Sequence, residues 1–322
     1  MRYVVIGAGA IGGTLGAHAV RAGHDILFCD VAADHVDAIN ERGLEITGPV
    51  EQFTVRAPAV TPADLPDRID RAVVAVKSLH TAAAAELLRD RLAPDGFVLS
   101  VQNGLTAHHL IDAVGDSRVL SSFVNIGADY LEPGKVIQGN VATFRIGELA
   151  GGAITDRVRE MVSVLPYAQA TDNVLGYLWG KEAYGAMLWA GAVSDLEIAD
   201  TLDTPRYRPL MVALAQEVLA QAPVPVESFD GFEPDDLDGS LDRLALFNRN
   251  SAKKYSGIYR DLAVRKRKTE IDEMLSELHG PIFAKIGELI HDIEDGRRVN
   301  CVENLDELAD YAASLSRDGA VS

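Results

Sequence analysis

"VIGAGAIGGTLGAHAVRAGHDILFCD", residues 5–30, decides the fold of the first half of this chain. A short apolar run leads into glycines with G-x-G-x-x-G spacing, and a helical pattern follows them. In that context the first glycine permits a tight turn, the second lets a pyrophosphate approach the backbone, and the third lets helix and strand pack closely. The stretch therefore predicts a strand, a helix and a second strand that bind a dinucleotide. The candidate cofactor-binding residues of this turn are Gly7, Gly9, Ala10, Ile11 and Gly12.

Asp30 ends the second predicted strand, about 20 residues after the glycines, where a carboxylate accepts hydrogen bonds from the adenosine ribose. The same carboxylate would repel a 2′-phosphate. Residues 31–37 contain no Arg or Lys that would bind such a phosphate. The sequence therefore favours NAD over NADP as cofactor. The alternative is that Asp30 only caps the next helix.

Composition restricts the class of protein. A chain of 322 residues with 48% hydrophobic residues suggests two globular domains of ordinary size. A formal net charge of -18 gives no electrostatic support to binding of nucleic acid or an anionic membrane surface. The first residues do not resemble a signal peptide, and no apolar run reaches the length of a membrane span. Because there are only two cysteines, Cys29 and Cys301, we expect a reducing, cytoplasmic location.

The first half of the chain alternates short apolar strands with helical patterns, which indicates a parallel sheet with crossover helices. The predicted strands are residues 3–6, 25–29, 72–76, 97–101 and 119–124. Residues 135–152, rich in Thr, Val and Gly, predict antiparallel strands that finish this sheet. From residue 173 onward the pattern is almost entirely helical, with one helical run over residues 259–278. Residues 223–240 are acidic and proline-rich and predict an exposed loop.

These patterns predict the α/β fold class, with a doubly wound N-terminal sheet followed by an all-α C-terminal domain. The predicted division is a dinucleotide-binding domain over residues 1–170 and a helical domain for substrate and catalysis over residues 171–322. Asp172 is the predicted N-cap of the first helix of the second domain.

Three further polar residues are candidates for chemistry. Lys77 and Asn103 each follow a predicted strand and would point from its carboxyl end into the crevice where such sheets bind ligands. Lys181 interrupts a helix that is apolar on most sides, although a lysine there can also extend its ammonium group to solvent.

These residues, in this order, resemble the ketopantoate reductase (2-dehydropantoate 2-reductase) family. The motifs are "GAGAIG" at the start, "VAVKSLH" with Lys77, "VQNG" with Asn103, "LWGKEAYG" with Lys181 and "KTEID" with Glu270. The resemblance covers nearly the whole chain. It implies a Rossmann-type N-terminal domain, an all-α C-terminal domain, and reduction of a 2-oxo acid by nicotinamide hydride in the interdomain cleft.

The resemblance also implies roles for individual residues. Lys181 would be the general acid that protonates the carbonyl oxygen, and a cleft lysine can serve this purpose because burial lowers its pKa. Asn103 would hold the nicotinamide ribose or the substrate hydroxyl, and Lys77 would lie beside cofactor and substrate. Glu270 would orient the substrate or Lys181. The catalytic candidates are therefore Lys181, Asn103 and Glu270.

The chain departs from the family pattern at three places. Gly185 stands where the family usually has asparagine four residues after the catalytic lysine, and Trp189 follows one turn later on the same face. The substrate-binding serine corresponds to Ser256 or to Gly257, with Ser256 as the candidate substrate residue. The family commonly has arginine where Asp30 stands, for NADPH.

Other features of the sequence favour no additional site. His108 and His109 are adjacent and are expected to point in different directions on a helix, so no metal site is predicted. The basic run at residues 265–268 is interpreted as a solvated helix face or a salt-bridge partner rather than a nucleic-acid patch.

The sequence thus predicts an NAD(P)-dependent oxidoreductase that interconverts a small 2-oxo acid and a 2-hydroxy acid, with ketopantoate as the leading substrate. One alternative is NAD-dependent oxidation of another small hydroxy acid in catabolism. A second alternative, from a different class, is a non-catalytic NAD(H)-binding sensor. A homodimer is left open.

Overall fold

The computed structural model describes residues 1–251 and 254–318 of the chain. Contacts between Cα atoms divide the chain into two compact units, Met1–Leu178 and Trp179–Ser322, called here the N-terminal and C-terminal units. The domain boundary predicted at residue 170 stays a prediction.

The N-terminal unit contains twelve described strands and the first helices. The strands are β1 (Arg2–Ile6), β2 (Asp25–Cys29), β3 (Leu44–Thr47), β4 (Phe53–Val55), β5 (Ala59–Val60), β6 (Ile69–Val74), β7 (Leu92–Ser100), β8 (Val119–Val124), β9 (Ala128–Glu132), β10 (Lys135–Gln138), β11 (Phe144–Glu148) and β12 (Gln169–Ala170). The helices are α1 (Ala10–Arg21), α2 (Ala33–Arg42), α3 (Thr81–Arg89), α4 (Ala107–Val114) and α5 (Asp156–Val164). Helix α6 (Val174–Ala192) begins in this unit and ends in the next.

The main sheet has eight strands in the order β12-β11-β8-β7-β6-β1-β2-β5. From β5 to β8 all neighbouring strands are parallel, whereas β11 is antiparallel to β8. The chain winds outward from β1 in both directions, which is the strand order of a doubly wound dinucleotide-binding sheet, and the order reverses between β1 and β6. The predicted α/β fold class is confirmed. In open sheets of this kind, ligands bind at the carboxyl ends of the strands beside that reversal.

A second sheet of four strands, β4-β3-β10-β9, corrects one prediction. Residues 135–152 were expected to finish the main sheet, but only β11 does so. Strand β10 pairs instead with β9 in antiparallel and with β3 in parallel orientation. The sequence pattern indicates strands in both cases, but a Val- and Gly-rich pattern does not specify the partner strand.

Both faces of the main sheet are buried, as expected for parallel strands with helices on either side. Side chains alternate along β1: Tyr3 and Val5 join one apolar cluster, and Val4 and Ile6 join the other. The rigid centre of the sheet thereby fixes the positions of the loops that leave its carboxyl edge.

The C-terminal unit is helical, as predicted. Its helices are the end of α6, then α7 (Ile198–Asp203), α8 (Arg208–Leu219), α9 (Leu237–Asn250), α10 (Gly257–Tyr259), α11 (Ile271–Glu277), α12 (Pro281–Glu294) and α13 (Val302–Asp318). In the part of the chain that the structure describes, no helix is long and apolar enough to cross a membrane.

Three local predictions were wrong. The N-cap of α6 is Asn173 rather than Asp172, because the Asn173 side-chain oxygen accepts a hydrogen bond from the Gly176 N–H at 3.0 Å. The predicted helical run over 259–278 is broken: α10 leads into a π-helical turn over 260–264, residues 265–270 are not helical, and α11 follows. The loop predicted as exposed contains the fully buried Phe232, which stacks on Phe229.

Candidate active site

Four loops leave the carboxyl ends of the adjacent parallel strands β2, β1, β6 and β7 at one edge of the main sheet. They carry, in that spatial order, Asp30, the glycine turn 7–12, Lys77 and Asn103. The topology therefore brings the predicted cofactor-binding residues to one edge of the N-terminal unit. Lys181, Ser256 and Glu270 belong to the C-terminal unit.

The glycine turn lies at the reversal of strand order. Gly7 has a φ of 94°, and a Cβ there would lie 2.8 Å from the Val76 nitrogen in the loop after β6. A Cβ on Gly12 would lie 2.8 Å from the Ala75 Cβ. In contrast, a Cβ on Gly9 would have no heavy atom of the described residues within 4 Å. The turn is thus packed tightly on its inner side and is open at Gly9.

Asp30 holds the glycine turn from the side of β2. One carboxylate oxygen accepts a hydrogen bond from the Ala8 N–H at 2.9 Å, and the other accepts one from the Ala32 N–H at 3.0 Å. Helix α2 begins at Ala33, and its N-cap Ala32 has no side-chain capping bond, so Asp30 is not the cap of α2. Each carboxylate oxygen has a second lone pair that a ribose hydroxyl can use.

The surroundings of Asp30 are acidic. Burial raises the pKa of the Tyr130 phenol on β9, and the nearby carboxylates of Asp34 and Asp30 raise it further. A second carboxylate therefore lies close to the strand end where the adenosine ribose is expected. This arrangement would disfavour a 2′-phosphate by like-charge repulsion.

Gln102 braces the two loops that carry Lys77 and Asn103. Its buried side-chain amide donates hydrogen bonds to the Val76 carbonyl oxygen at 3.0 Å and to the Thr81 hydroxyl at 2.7 Å. The side chains of Lys77 and Asn103 themselves are exposed. Gln102 thus joins the two neighbouring loops after β6 and β7, while the side chains of Lys77 and Asn103 lie at the surface.

Helix α6 presents Lys181, Gly185 and Trp189 on one face, since residues four apart lie one above the other. The glycine is unusual for a helix interior, where it destabilises by roughly 1 kcal/mol relative to Ala. A Cβ on Gly180 or Gly191 of the same helix would lie 3.0 or 3.1 Å from a neighbouring atom, which explains those glycines by close packing. A Cβ on Gly185 would meet no heavy atom of the described residues within 4 Å. Packing therefore does not require a glycine at this position.

Ser256 lies at the N-terminal end of α10 in the C-terminal unit. The Ser256 hydroxyl oxygen accepts a hydrogen bond from the Tyr259 N–H at 3.1 Å and caps α10. The residue is buried beside a small cavity lined by both Tyr255 and Tyr259, whose rings stack. The structure thus gives Ser256 a capping contact, and its substrate-binding role stays a prediction.

The basic run at residues 265–268 lies on the non-helical segment. Arg265 and Arg267 both pair with the buried carboxylate of Asp261, at 2.8 and 2.9 Å. Lys266 between them has a φ of 52°, a left-handed conformation that ends the helical geometry. The run is therefore the salt-bridge partner that the sequence allowed, but it is not a helix face.

Glu270 follows directly and is held between two anchored residues. Thr269 donates hydrogen bonds from its N–H and hydroxyl to one Glu294 carboxylate oxygen at 2.6 and 2.7 Å, and Ile271 is buried. The Oε1 atom of Glu270 is buried and has no hydrogen-bond partner among the described residues, and the same holds for Oε2 of Glu273. A buried acceptor without a donor costs about 1–3 kcal/mol. Such an atom is suited to receive a donor from a ligand.

The residues 1–251 and 254–318 contain no group of three His, Cys, Asp or Glu side chains placed to hold a metal ion. The rings of His108 and His109 lie with their centroids 4.0 Å apart, so the expectation that they point in different directions was wrong.

Sequence reasoning missed two residues beside the cofactor loops, Gln102 and His35. Gln102 is within the quoted "VQNG" motif but was assigned no role. His35 is buried on α2, with its ring against Tyr130 and bonded to the Ala8 carbonyl oxygen. The available signal was its position four residues before the buried Ile39, on the apolar face of α2.

Strand order, glycine turn and strand-end carboxylate define the class as Rossmann-type dinucleotide-binding proteins. Residues 3–151 match the model of the family described as "Ketopantoate reductase PanE/ApbA". This match confirms, for residues 3–151, the resemblance found in the sequence. The similarity continues beyond it: a 2-dehydropantoate 2-reductase of Pyrococcus abyssi is 26% identical over 279 residues, which cover 84% of this chain and 88% of that protein.

Solved structures with the same fold extend over both units. A D-mandelate dehydrogenase in a ternary structure with NADH and anilino(oxo)acetate has a TM-score of 0.79 and 20% identity, covering 92% of this chain and 99% of that chain. A PanE/ApbA family ketopantoate reductase from Ralstonia eutropha JMP134 has a TM-score of 0.77 and 23% identity over the same shares. These similarities show that the chain shares the fold of these two proteins over 92% of its length.

Proposed function

We propose that this protein is an NAD(P)-dependent oxidoreductase that interconverts a 2-oxo acid and a 2-hydroxy acid. The observation that carries the proposal is the glycine turn at the strand-order reversal of a ketopantoate reductase family domain, with Asp30, Lys77 and Asn103 on the neighbouring loops. Its curated relative is named 2-dehydropantoate 2-reductase, and a protein of the same fold is a D-mandelate dehydrogenase. Both names describe reactions between an oxo acid and a hydroxy acid.

NAD is the proposed cofactor in preference to NADP. Asp30 leaves acceptor positions for the ribose hydroxyls, and its charge, with that of Asp34, opposes a 2′-phosphate. The open backbone at Gly9 and the N-terminus of α1 offer N–H donors to the diphosphate. The D-mandelate dehydrogenase of the same fold binds NADH.

The chemistry divides between the cofactor and the chain. When bound, NAD(P)H would supply the hydride for the carbonyl carbon of the oxo acid. The Lys181 ammonium group donates a proton to the carbonyl oxygen, so that the product is a neutral hydroxyl and the lysine is left as an amine. The Oε1 atom of Glu270, which has no partner in the part of the chain that the structure describes, accepts a hydrogen bond from the substrate hydroxyl or from Lys181. At the strand ends, Asn103 binds the nicotinamide ribose or the substrate hydroxyl, and Lys77 lies beside cofactor and substrate. Ser256, at the start of α10, is the proposed contact to the substrate.

The open space at Gly185 bears on the substrate. Gly185 lies one turn from Lys181, and a Cβ there would meet no heavy atom of the described residues within 4 Å, which leaves room beside the proposed acid. We therefore propose an oxo acid whose side group next to the carbonyl is branched or aromatic. Ketopantoate is the leading example, and oxidation of another small hydroxy acid with NAD is the second candidate, favoured by Asp30.

One assay tests these statements together. The loss of NADH or NADPH absorbance is followed with ketopantoate and a panel of 2-oxo acids. The reverse reaction is then followed as the gain of absorbance from NAD or NADP with the corresponding hydroxy acids. We expect turnover with at least one pair and a lower KM for NADH than for NADPH. A clear preference for NADPH would contradict the proposal that Asp30 binds the ribose hydroxyls and repels a 2′-phosphate. Binding of NADH without turnover on any acid would favour the sensor.

We also propose a reducing cytoplasmic location, supported by the two free cysteines, Cys29 and Cys301. The homodimer stays a prediction.

A further inference from the structure

Both polar backbone atoms of Ala8, in the middle of the glycine turn, are held by side chains. Its N–H donates to Asp30, and its carbonyl oxygen accepts a hydrogen bond from the His35 Nε2 atom at 2.9 Å. Ala8 is completely buried and His35 nearly so. The turn that faces the expected diphosphate is therefore fixed by two residues of the neighbouring β2–α2 segment.

The hydrogen bonds of His35 define its tautomer. The Gly134 N–H donates to the other ring nitrogen, Nδ1, at 2.9 Å, so Nδ1 must be the acceptor. Nε2 then carries the hydrogen and donates it to the Ala8 carbonyl oxygen. The Tyr130 ring packs edge-on at a centroid distance of 5.1 Å and restricts rotation of the imidazole. A single neutral ring thus links the turn between β9 and β10 to the glycine turn.

The direction of the Ala8 carbonyl has a consequence for the next N–H group. In a planar trans peptide the carbonyl of one residue and the N–H of the next point in opposite directions. Because His35 draws the Ala8 carbonyl inward, the Gly9 N–H points away from the protein interior. Gly9 is the N-cap of α1, where backbone N–H groups have no acceptor within the helix, and space beside it is open.

We propose that His35 is a positioning residue for the cofactor diphosphate, acting through the Ala8–Gly9 peptide. This proposal rests on the proposed function, since it assumes that a dinucleotide binds at the turn. Asp30 fixes one side of Ala8 and is itself a ribose ligand, whereas His35 fixes the other side without touching the cofactor. The four-stranded sheet contributes to the cofactor site in this way, because Gly134 sets the tautomer of His35.

Two conservative variants of His35 each retain one of the two hydrogen bonds of the imidazole. In His35→Gln the side-chain amide can still donate to the Ala8 carbonyl oxygen but cannot also accept from Gly134. In His35→Asn the shorter side chain can accept from Gly134 but does not reach Ala8. The dissociation constants of NADH, ADP-ribose and adenosine are measured for each variant, with KM for NADH and kcat at saturating NADH.

We expect His35→Asn to weaken binding of NADH and ADP-ribose about tenfold or more, the loss of one oriented hydrogen bond to a charged group. Adenosine affinity and kcat should change less than about threefold, and His35→Gln should retain most of the wild-type affinity. His18→Gln is the matched control, since His18 is the other buried hydrogen-bonded imidazole of α1–α2 and lies at the far end of α1. It should leave all three dissociation constants unchanged.

The proposal is overturned if His35→Asn binds ADP-ribose as tightly as the wild type, or if adenosine weakens equally. It is also overturned if His35→Gln and His35→Asn lose the same affinity, because the effect is then one of general stability. If the wild-type protein binds neither NADH nor ADP-ribose, the proposed function fails and the inference fails with it.

Discussion

The glycine turn of the N-terminal unit and the segment 256–273 of the C-terminal unit differ in how completely their buried polar atoms are hydrogen-bonded. In the turn, the backbone of Ala8 is satisfied at both atoms by Asp30 and His35. In the segment, the helix is interrupted, and one carboxylate oxygen each of Glu270 and Glu273 is buried without a donor among the residues that the structure describes. The first region is organised before its ligand arrives. The second retains unsatisfied acceptors, so its hydrogen bonding would be completed by a ligand.

The largest effect should come from Lys181→Ala, which removes the proposed proton donor. We expect kcat to fall by roughly 10²–10⁴, the range for general acid catalysis, while the dissociation constant of NADH stays the same. Steady-state kinetics and NADH fluorescence measure the two quantities. Lys285→Ala, which removes a lysine paired with Glu288 and Glu307, should leave kcat unchanged. Unchanged turnover in Lys181→Ala would contradict the general acid.

Glu270 and Glu273 allow a direct test of the unsatisfied acceptors. Glu270→Gln should lower kcat/KM for the oxo acid about 10- to 100-fold, because a charged acceptor for the substrate or Lys181 is lost. Glu273→Gln changes a second carboxylate whose Oε2 atom is buried without a partner among the described residues, and it should leave kcat/KM within a factor of two. Melting temperatures of both variants should be equal to or above that of the wild type. If both variants lose the same activity, the effect comes from removing a negative charge anywhere in the segment and not from the Glu270 acceptor.

Asp30→Asn tests the charge beside the preorganised turn. The ratio of KM for NADPH to KM for NADH should fall about tenfold, because the repulsion of the 2′-phosphate by the Asp30 charge is lost, whereas the loss of one of the two backbone hydrogen bonds affects both cofactors alike. Asp34→Asn keeps both of those bonds and should change the ratio less. A ratio that does not respond to Asp30→Asn would remove the carboxylate from the explanation of cofactor choice.

Gly185→Ala separates stability from specificity. An alanine in the helix interior should raise the free energy of unfolding by about 0.5–1 kcal/mol, since no described atom obstructs its Cβ. If the space beside Gly185 accommodates a bulky side group of the oxo acid, kcat/KM for phenylglyoxylate should fall by up to about tenfold, while kcat/KM for pyruvate stays unchanged. A gain in stability with equal activity on both acids would show that the space is not used.

The smallest effect concerns His18 in the N-terminal unit. Burial lowers the pKa of its imidazole, and the charge of Arg21 lowers it further, while the bond to Gln138 and the charge of Glu51 act in the opposite direction. The unfolded chain therefore binds a proton at this site more readily than the folded protein. Its contribution to stability is complete above the ordinary histidine pKa and declines as the pH falls through about 6.5. Urea unfolding between pH 8 and 5.5 should show this decline, and His18→Gln should reduce its slope.

The sequence predicted the structure correctly where a local pattern is compatible with only one kind of element. The β1–α1–β2 unit and the helical C-terminal half follow from glycine spacing and hydrophobic periodicity, and the family match agrees with the motifs around Lys77 and Asn103. In the candidate site, however, the motifs indicated residue types without their contacts. The bond of Asp30 to Ala8 joins two loops that are separate in sequence, and no local pattern encodes it.

The wrong predictions have a common physical origin in tertiary contacts. Residues 259–278 have helical spacing, but the buried Asp261 draws Arg265 and Arg267 into ion pairs, and Lys266 takes a left-handed conformation between them. The proline-rich stretch was expected to be exposed because it is acidic, yet Phe232 within it is buried. Strand β10 pairs with the distant strand β3, a choice that depends on the complete fold.

That parallel pairing has a consequence for the order in which the protein acquires its function during synthesis. Ile46 of β3 lies opposite Val136 of β10, and the Gly134 N–H that sets the His35 tautomer belongs to the same distant segment. Contacts between residues so far apart in sequence form late, because a long loop must close first. A nascent chain that has completed the glycine turn and β2 therefore still lacks the donor from Gly134. Full affinity for the cofactor should therefore be reached only after the β9–β10 hairpin has left the ribosome, later than the synthesis of the glycine turn itself.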